Sequence, residues 1–101
     1  MTIVTVFRSR LRPDVTTDYE ALAASIGALA HSMPGFVDES NFVSPDGERV
    51  TIVRFADVAS HEAWARHPRH LEAQRRGRDE FYLWYHISVA EELSERTFSA
   101  P

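Results

Sequence analysis

Cysteine and lysine are both missing from this chain of 101 residues, so all 11 of its basic side chains are arginines. Without cysteine there can be no disulfide, no thiolate nucleophile and no Cys-ligated zinc or iron–sulfur cluster. Without lysine there can be no Schiff base to a carbonyl substrate or to pyridoxal phosphate, and no P-loop lysine. The two absences therefore remove several large enzyme classes.

Glycine is also scarce, and none of the four glycines forms the GxGxxG pattern of a dinucleotide-binding site. No apolar run approaches the roughly 18 residues of a membrane-spanning helix, and the start of the chain lacks the features of a signal peptide. We therefore expect a cytoplasmic protein that does not bind membranes. The net charge of −4 also argues against a nucleic-acid partner.

Hydrophobic periodicity predicts four strands and two helical regions in the order βαββαβ. The strands are expected at 3–10, 36–43, 49–55 and 81–89. The helices are expected at 17–32, after Asp57 through Ala63 and Trp64 and, following a break near His67, at about 68–78. Thr17 with Glu20 fits a capping box for the first helix, and Asp57 is a cap for the second. The order predicts a ferredoxin-like α+β fold, a four-stranded antiparallel sheet with helices on one face. We expect one domain over residues 1–92, followed by a polar tail at 93–101.

The first and last strands carry apolar residues on both faces. Val4 and Val6 lie opposite Ile3 and Phe7, and in the last strand the alternation places Tyr82 and Trp84 opposite Tyr85. Helices can cover only one face of the sheet, so we expect a second copy of the chain to cover the other, giving a homodimer. The alternative is a monomer with a partly exposed aromatic face.

The helical segment after Trp64 carries the polar side chains that most resemble a binding site. At 100° per residue, one arc of this helix holds His70, Leu71, Gln74 and Arg78. A helix that only packs on a sheet has mostly aliphatic residues on its inward arc, so the mixed arc predicts a pocket bordered by Trp64. The alternative is structural: His67 caps the helix at Pro68, and Gln74 and Arg78 reach water.

A metal site is not predicted. His67 and His70 have helical i, i+3 spacing, but the sequence indicates no third ligand.

Several blocks together resemble the antibiotic biosynthesis monooxygenase (ABM) family. They are Met33-Pro34-Gly35-Phe36-Val37, the turn Pro45-Asp46-Gly47, the block His61-Glu62-Ala63-Trp64 with the segment 67–78, and the pair Tyr82 and Tyr85. The resemblance covers about residues 1–90 and implies a dimeric α/β barrel. It also implies a choice of functions, because the family contains cofactor-free monooxygenases that oxidise polycyclic phenols to quinones, haem-degrading enzymes, and members without known activity.

The resemblance extends to particular residues. Trp64 matches a helix tryptophan that lines the pocket in both enzymatic branches. The haem-degrading branch has an axial histidine where this chain has Gln74, and an asparagine where it has Phe7. The resemblance therefore disfavours haem, and we expect no cofactor, although His70 or His67 could substitute as a ligand.

The favoured hypothesis is a cofactor-independent monooxygenase that oxidises an aromatic or quinol-type metabolite with O2. His70 is the candidate base, because its ordinary pKa lies near neutrality, and Trp64 packs the substrate ring. His67, Leu71, Gln74, Arg78, Tyr85 and Phe7 are the candidate substrate-binding residues. The alternatives are a dimeric module that binds a small ligand without turnover and, less favoured, a haem-dependent monooxygenase.

Overall fold

A computed structural model describes all 101 residues, and its helices and strands follow the predicted order. The strands are β1 (Ile3–Leu11), β2 (Phe36–Val43), β3 (Arg49–Phe55) and β4 (Tyr82–Glu91). The helices are α1 (Thr16–Ser32), α2 (Val58–Ala65) and α3 (Pro68–Arg76), and a π-helical turn (Gly77–Phe81) follows α3. Residues 92–101 form no helix or strand. None of the helices has the length and apolarity needed to span a bilayer.

The four strands form one antiparallel sheet in the order β2-β3-β1-β4. The two central strands, β1 and β3, are far apart in sequence, and each carries a partner strand on its outer side. This is the ferredoxin-like topology, so the predicted fold class is confirmed. The pairing of Thr5 with Val53 and Val89 places these three side chains in one row across the face that carries the helices.

The residues that cap the helix N-termini are those expected from the sequence in two of the three helices. The Asp57 carboxylate accepts a hydrogen bond from the Ser60 amide at 2.7 Å and caps α2. The His67 Nδ1 accepts from the Arg69 amide at 3.1 Å, so His67 caps α3 ahead of Pro68. The predicted capping box at Thr17 is wrong, because α1 begins at Thr16 after Val15 and no side chain caps it.

The junction of α3 with β4 also differs from the prediction. The α-helix ends at Arg76, and the π-helical turn carries the chain into the strand. The strand register then shifts, since Arg10 pairs with Trp84 and Leu11 with Tyr82. This bulge inserts one extra residue into β4 and moves Tyr82 to the same face as Tyr85. The prediction that Tyr82 lies opposite Tyr85 is therefore wrong.

The helix α1 packs on the sheet at its two ends. Near its end, Ala30 packs with Val53, Phe55 and Trp64 in a buried cluster. Near its start, Tyr19 meets the Phe81 ring edge-on, with the centroids 5.9 Å apart. The middle of α1 has no such buried contact, because only Tyr19, Leu29 and Ala30 of this helix are buried. The helix consequently spans a space between itself and the sheet.

The face of the sheet opposite the helices, called here the outer face, is covered by no element of the chain. It carries apolar side chains from all four strands: Val4, Val6, Phe42, Val50, Ile52 and Trp84. Phe42 is 58% exposed and Trp84 is 39% exposed. The apolar character of both faces, expected from the sequence, is thus present in the structure.

Candidate functional site

A cavity of about 1010 Å³ lies between the middle of α1, the α2–α3 region and the sheet. Of its 30 lining residues, 18 are hydrophobic, which makes it an apolar pocket of the size that binds small organic ligands. Leu22 and Ile26 of α1 form one wall, and Ile87 and Val89 of β4 form another. The volume is sufficient for a fused polycyclic molecule.

Trp64 is a buried residue in the wall of this cavity. Its side chain is 6% exposed, and its ring stacks on Phe55 with centroids 5.2 Å apart. The His70 ring stacks on the same indole at 4.3 Å, and His61 meets it more nearly edge-on at 6.2 Å. One tryptophan therefore orders two imidazoles that both line the cavity.

The Trp64 indole Nε1–H is buried without a hydrogen-bond partner. A buried donor without an acceptor costs about 1–3 kcal/mol. Such groups are uncommon in folded proteins, and those that persist call for an explanation. The indole is held in this position by its packing against Phe55 and the two imidazoles.

His70 is held by the end of the preceding helix. Its Nδ1 lies 3.1 Å from the carbonyl oxygen of Ala65, the last residue of α2. A carbonyl oxygen only accepts, so the Nδ1 must carry the proton and donate to one of the carbonyls that a helix end leaves free. The lone pair of neutral His70 then resides on Nε2, which is the nitrogen able to act as a base.

Burial lowers the pKa of His70 below the usual histidine value of 6.5. The bond to the Ala65 carbonyl opposes this shift, and the nearby His61 and His67 reinforce it. A histidine with a lowered pKa is neutral at pH 7, which is the form that accepts a proton. The environment therefore suits His70 to the role of general base.

A second aromatic cluster lines the cavity on β1 and β4. Phe7 stacks on Tyr85 at 5.5 Å, and the Tyr82 ring lies 5.4 Å from Phe7. The Tyr82 hydroxyl donates to the Tyr19 hydroxyl at 3.3 Å. Burial strongly raises the pKa of Tyr82, and the neighbouring Tyr19 raises it further. Tyr82 thus stays protonated and serves as a wall, not as a base.

A polar strip crosses the cavity wall on β2 and β3. The Thr51 hydroxyl donates to the Asn41 side-chain oxygen at 2.6 Å, and the Asn41 amide donates to the Glu39 carboxylate at 3.1 Å. All three residues line the cavity. The strip gives the pocket one hydrophilic side.

The structure brings five of the eight predicted site residues to the cavity. They are Phe7, Trp64, His70, Gln74 and Tyr85. The Gln74 amide lies 3.3 Å from the His70 Nδ1, so the two predicted residues also contact each other.

The other three predicted residues, His67, Leu71 and Arg78, do not line the cavity. His67 caps α3, which is the structural alternative weighed for it. Leu71 is 49% exposed because the residues of α3 that line the cavity are His70, Ala73 and Gln74, whose arc is centred roughly 60° from the arc that the sequence predicted. Arg78 lies in the π-helical turn, where the wider winding carries it to the surface.

Thr5 and His61 line the cavity and were missed by sequence reasoning. The signals were present: Thr5 alternates with Ile3 and Phe7 on the inner face of β1, and His61 stands one helical turn before Trp64. A polar residue on an apolar strand face and a histidine at i−3 from a site tryptophan would together have identified the pair.

The residues at this site do not fit a haem held as in the haem-degrading branch. Gln74 stands at the position of the axial histidine, and an amide is a poor ligand for iron. The alternative ligand His67 is absent from the cavity wall and uses its Nδ1 to cap α3. The ligand arrangement of that branch is therefore not reproduced in this cavity.

Comparison with known proteins identifies the relatives of this chain. The sequence profile of the antibiotic biosynthesis monooxygenase family matches residues 2–76. The uncharacterized protein YqjZ of Bacillus subtilis (strain 168) is 27% identical over 93 residues, which are 92% of this chain and 82% of YqjZ.

Two solved structures share the fold at low sequence identity. Rv0793 of Mycobacterium tuberculosis superposes with a TM-score of 0.85 at 18% identity, covering 96% of this chain and all of Rv0793. SnoaB of Streptomyces nogalater, a cofactor-independent oxygenase, superposes with a TM-score of 0.79 at 17% identity, and 98% of each chain is covered. At these identities the likeness establishes the fold.

Proposed function

The chain belongs to the antibiotic biosynthesis monooxygenase family, and we propose that it is a cofactor-independent monooxygenase acting on an aromatic or quinol-type metabolite. The observation that carries this proposal is the environment of the His70 ring. Its ring lines an apolar cavity, its Nδ1–H is committed to the Ala65 carbonyl, and its lowered pKa keeps the Nε2 lone pair available at pH 7. The fold similarity to SnoaB, a cofactor-independent oxygenase, supports the proposal.

The chemistry needs a base and a water-poor pocket. A phenol that becomes a quinone gains one oxygen atom at a ring carbon and loses two protons, one from its O–H group and one from that carbon. The ionised substrate supplies the electrons to O2, and a peroxide forms at the carbon. When the O–O bond breaks, the second oxygen atom leaves as water with both protons. His70 accepts a proton from the substrate, and the apolar walls protect the anion from water.

The substrate ring lies against Trp64 and the aromatic cluster in this proposal. Flat aromatic molecules stack on aromatic side chains with centroids 4.5–7 Å apart. Trp64 and His70 supply one stacking surface in the cavity wall, and Phe7 and Tyr85 supply another. The Gln74 side chain lies beside the base, one helical turn away.

We further propose that the protein works as a homodimer that pairs the outer faces of two sheets. The apolar centre of this face includes Val6 and Ile52, and ion pairs border it at both ends. Arg54 binds Asp38 at 2.7 Å near one end, and Arg8 binds Glu48 at 3.0 Å near the other. An apolar centre with a charged rim is the usual anatomy of an interface between protein subunits.

Oxygen uptake with dithranol (1,8-dihydroxyanthrone) as the probe substrate tests the enzymatic proposal. We expect uptake by the wild-type protein and a loss of about 10²–10⁴-fold in the rate for His70→Gln, as for the removal of a general base. Glu72→Gln on the exposed side of α3 is the matched control and should retain the rate. Equal rates for the wild-type protein and a folded His70→Gln variant would contradict the role of His70.

The second candidate function is ligand binding without turnover. It is favoured by the same apolar cavity, which accepts a hydrophobic molecule whether or not chemistry follows. Quenching of tryptophan fluorescence by dithranol, without oxygen consumption above the rate of its autoxidation, would support this function and exclude the enzymatic one.

A further inference from the structure

We propose that Thr5 and His61 form a phenol-binding dyad, which holds the hydroxyl group of the substrate and takes up its proton. This inference rests on the proposed function, because it assigns a recognition element to the same cavity. It also divides the two protons of the reaction: the O–H proton goes to His61 through Thr5, and the C–H proton goes to His70.

The dyad is a buried pair on two different elements. Thr5 lies in the middle of β1 and His61 in α2, and each residue is 7% exposed. The Thr5 Oγ1 lies 3.2 Å from the His61 Nε2, and both residues line the cavity. Burying a hydroxyl and an imidazole in an apolar region is costly unless they are paired, so the two groups hold each other at the cavity wall.

The surroundings of His61 indicate where its proton resides. Its Nδ1 lies 3.6 Å from the Glu62 carboxylate, which Arg66 holds from the other side at 3.0 Å. That separation exceeds a hydrogen bond, but the negative charge favours the proton on Nδ1. The Nε2 is then the acceptor and Thr5 donates to it. The free lone pairs of the Thr5 oxygen therefore accept a hydrogen bond from a hydroxyl group in the cavity.

This arrangement gives a balanced route for the hydroxyl proton. The substrate O–H bond breaks as its proton passes to the Thr5 oxygen, and the Thr5 proton passes to the His61 Nε2. The substrate becomes a phenolate, His61 becomes an imidazolium beside the Glu62 carboxylate, and Thr5 is unchanged. His61 then releases this proton to bulk water, and the oxygen that leaves as water takes its second proton from bulk water, so the overall proton count is unchanged.

The dyad and His70 are separate groups with separate partners. His70 is bound to the Ala65 carbonyl and stacks on the Trp64 ring, whereas His61 is bound to Thr5 and meets that ring at a steeper angle. A phenol held at Thr5 therefore has a fixed oxygen position, which determines the ring carbon that faces His70. The pair therefore selects substrates that carry a hydroxyl group able to donate a hydrogen bond.

The probe for this inference is 4-nitro-1-naphthol, an aromatic phenol whose ionised form is coloured. Its visible absorbance, titrated against pH at saturating protein, reports the fraction of bound phenol that has lost its proton. We expect the bound probe to ionise about one pH unit below the free probe, because the imidazolium formed at His61 and the Thr5 hydroxyl, which then donates to the phenolate, stabilise the ionised form. Thr5→Ser, which keeps the hydroxyl group, should retain this shift.

Thr5→Val keeps the shape of the side chain and removes the oxygen, so the shift should disappear. His61→Gln should remove it as well, and this second variant covers the case in which Thr5→Val fails to fold. Thr97→Val in the exposed segment after β4 is the matched control, because it makes the same replacement outside the cavity and should keep the shift. A full shift in a folded Thr5→Val protein, or no shift in the wild-type protein, would overturn the inference.

This titration and the oxygen-uptake assay fail independently. A shift that depends on Thr5 without any oxygen uptake would support the dyad and contradict the monooxygenase. Oxygen uptake without a shift would support the monooxygenase and contradict the dyad.

Discussion

Replacement of Trp64 by phenylalanine should leave the stability of the protein nearly unchanged, although Trp64 is one of the most buried large side chains. Two effects oppose each other. The smaller ring leaves an unfilled space that costs on the order of 1–2 kcal/mol. The change also removes the buried Nε1–H that has no acceptor, which returns about 1–3 kcal/mol. The two ranges largely offset each other, so we expect the free energy of unfolding to change by no more than about 2 kcal/mol.

Trp64→Ala is the contrast that makes this prediction informative. Alanine removes the same donor but also the ring that stacks on Phe55 and His70. Loss of the ring should lower the free energy of unfolding by about 3–5 kcal/mol, and loss of the unpaired donor returns part of this amount. Urea unfolding followed by circular dichroism measures both variants. A Trp64→Phe protein that loses as much as Trp64→Ala would refute the view that the indole N–H is unsatisfied.

Three further predictions concern pH, packing and assembly. Folding lowers the pKa of His70, so the contribution of His70 to stability is present above its unfolded pKa near 6.5 and is lost as the pH falls through its folded pKa. Thermal unfolding should therefore show that acidification destabilises the wild-type protein more than His70→Gln. An equal loss of stability in the two proteins would contradict this. Gly77→Ala places a Cβ 2.5 Å from the Tyr82 ring and should cost about 1–3 kcal/mol, whereas an unchanged unfolding midpoint would show that the ring moves freely. Ile52→Arg on the outer face should convert a dimer into a folded monomer by sedimentation velocity, and a wild-type protein that already sediments as a monomer would contradict the proposed dimer.

The fold was largely predictable because its main signals are local. The β-branched residues of β1 and the Ser44–Gly47 turn between β2 and β3 belong to short stretches of chain, and Pro68 marks the break between α2 and α3. The π-helical turn and the bulge in β4 were not predictable. Both depend on how Tyr82 packs against Tyr19 and Phe7, which are more than 60 residues away in the sequence.

The candidate site was predictable to a smaller extent. Trp64 and His70 lie on neighbouring helices, and local spacing was enough to associate them. The orientation of α3 about its own axis depends on its packing, so the arc predicted to face the pocket, which included Leu71, differs from the arc that does face it. The contact of Thr5 with His61 joins a strand to a helix 56 residues later, and helical periodicity contains no information about such a pair.

Oxygen-isotope labelling tests the central claim most directly. The purified protein, dialysed against a metal chelator, would turn over dithranol under ¹⁸O2, and mass spectrometry would follow the label in the quinone and in water. A cofactor-independent monooxygenase predicts one labelled atom in the quinone and one in water, at a rate that falls in His70→Gln. Label in hydrogen peroxide alone, or turnover no faster than the autoxidation of dithranol, would contradict the account.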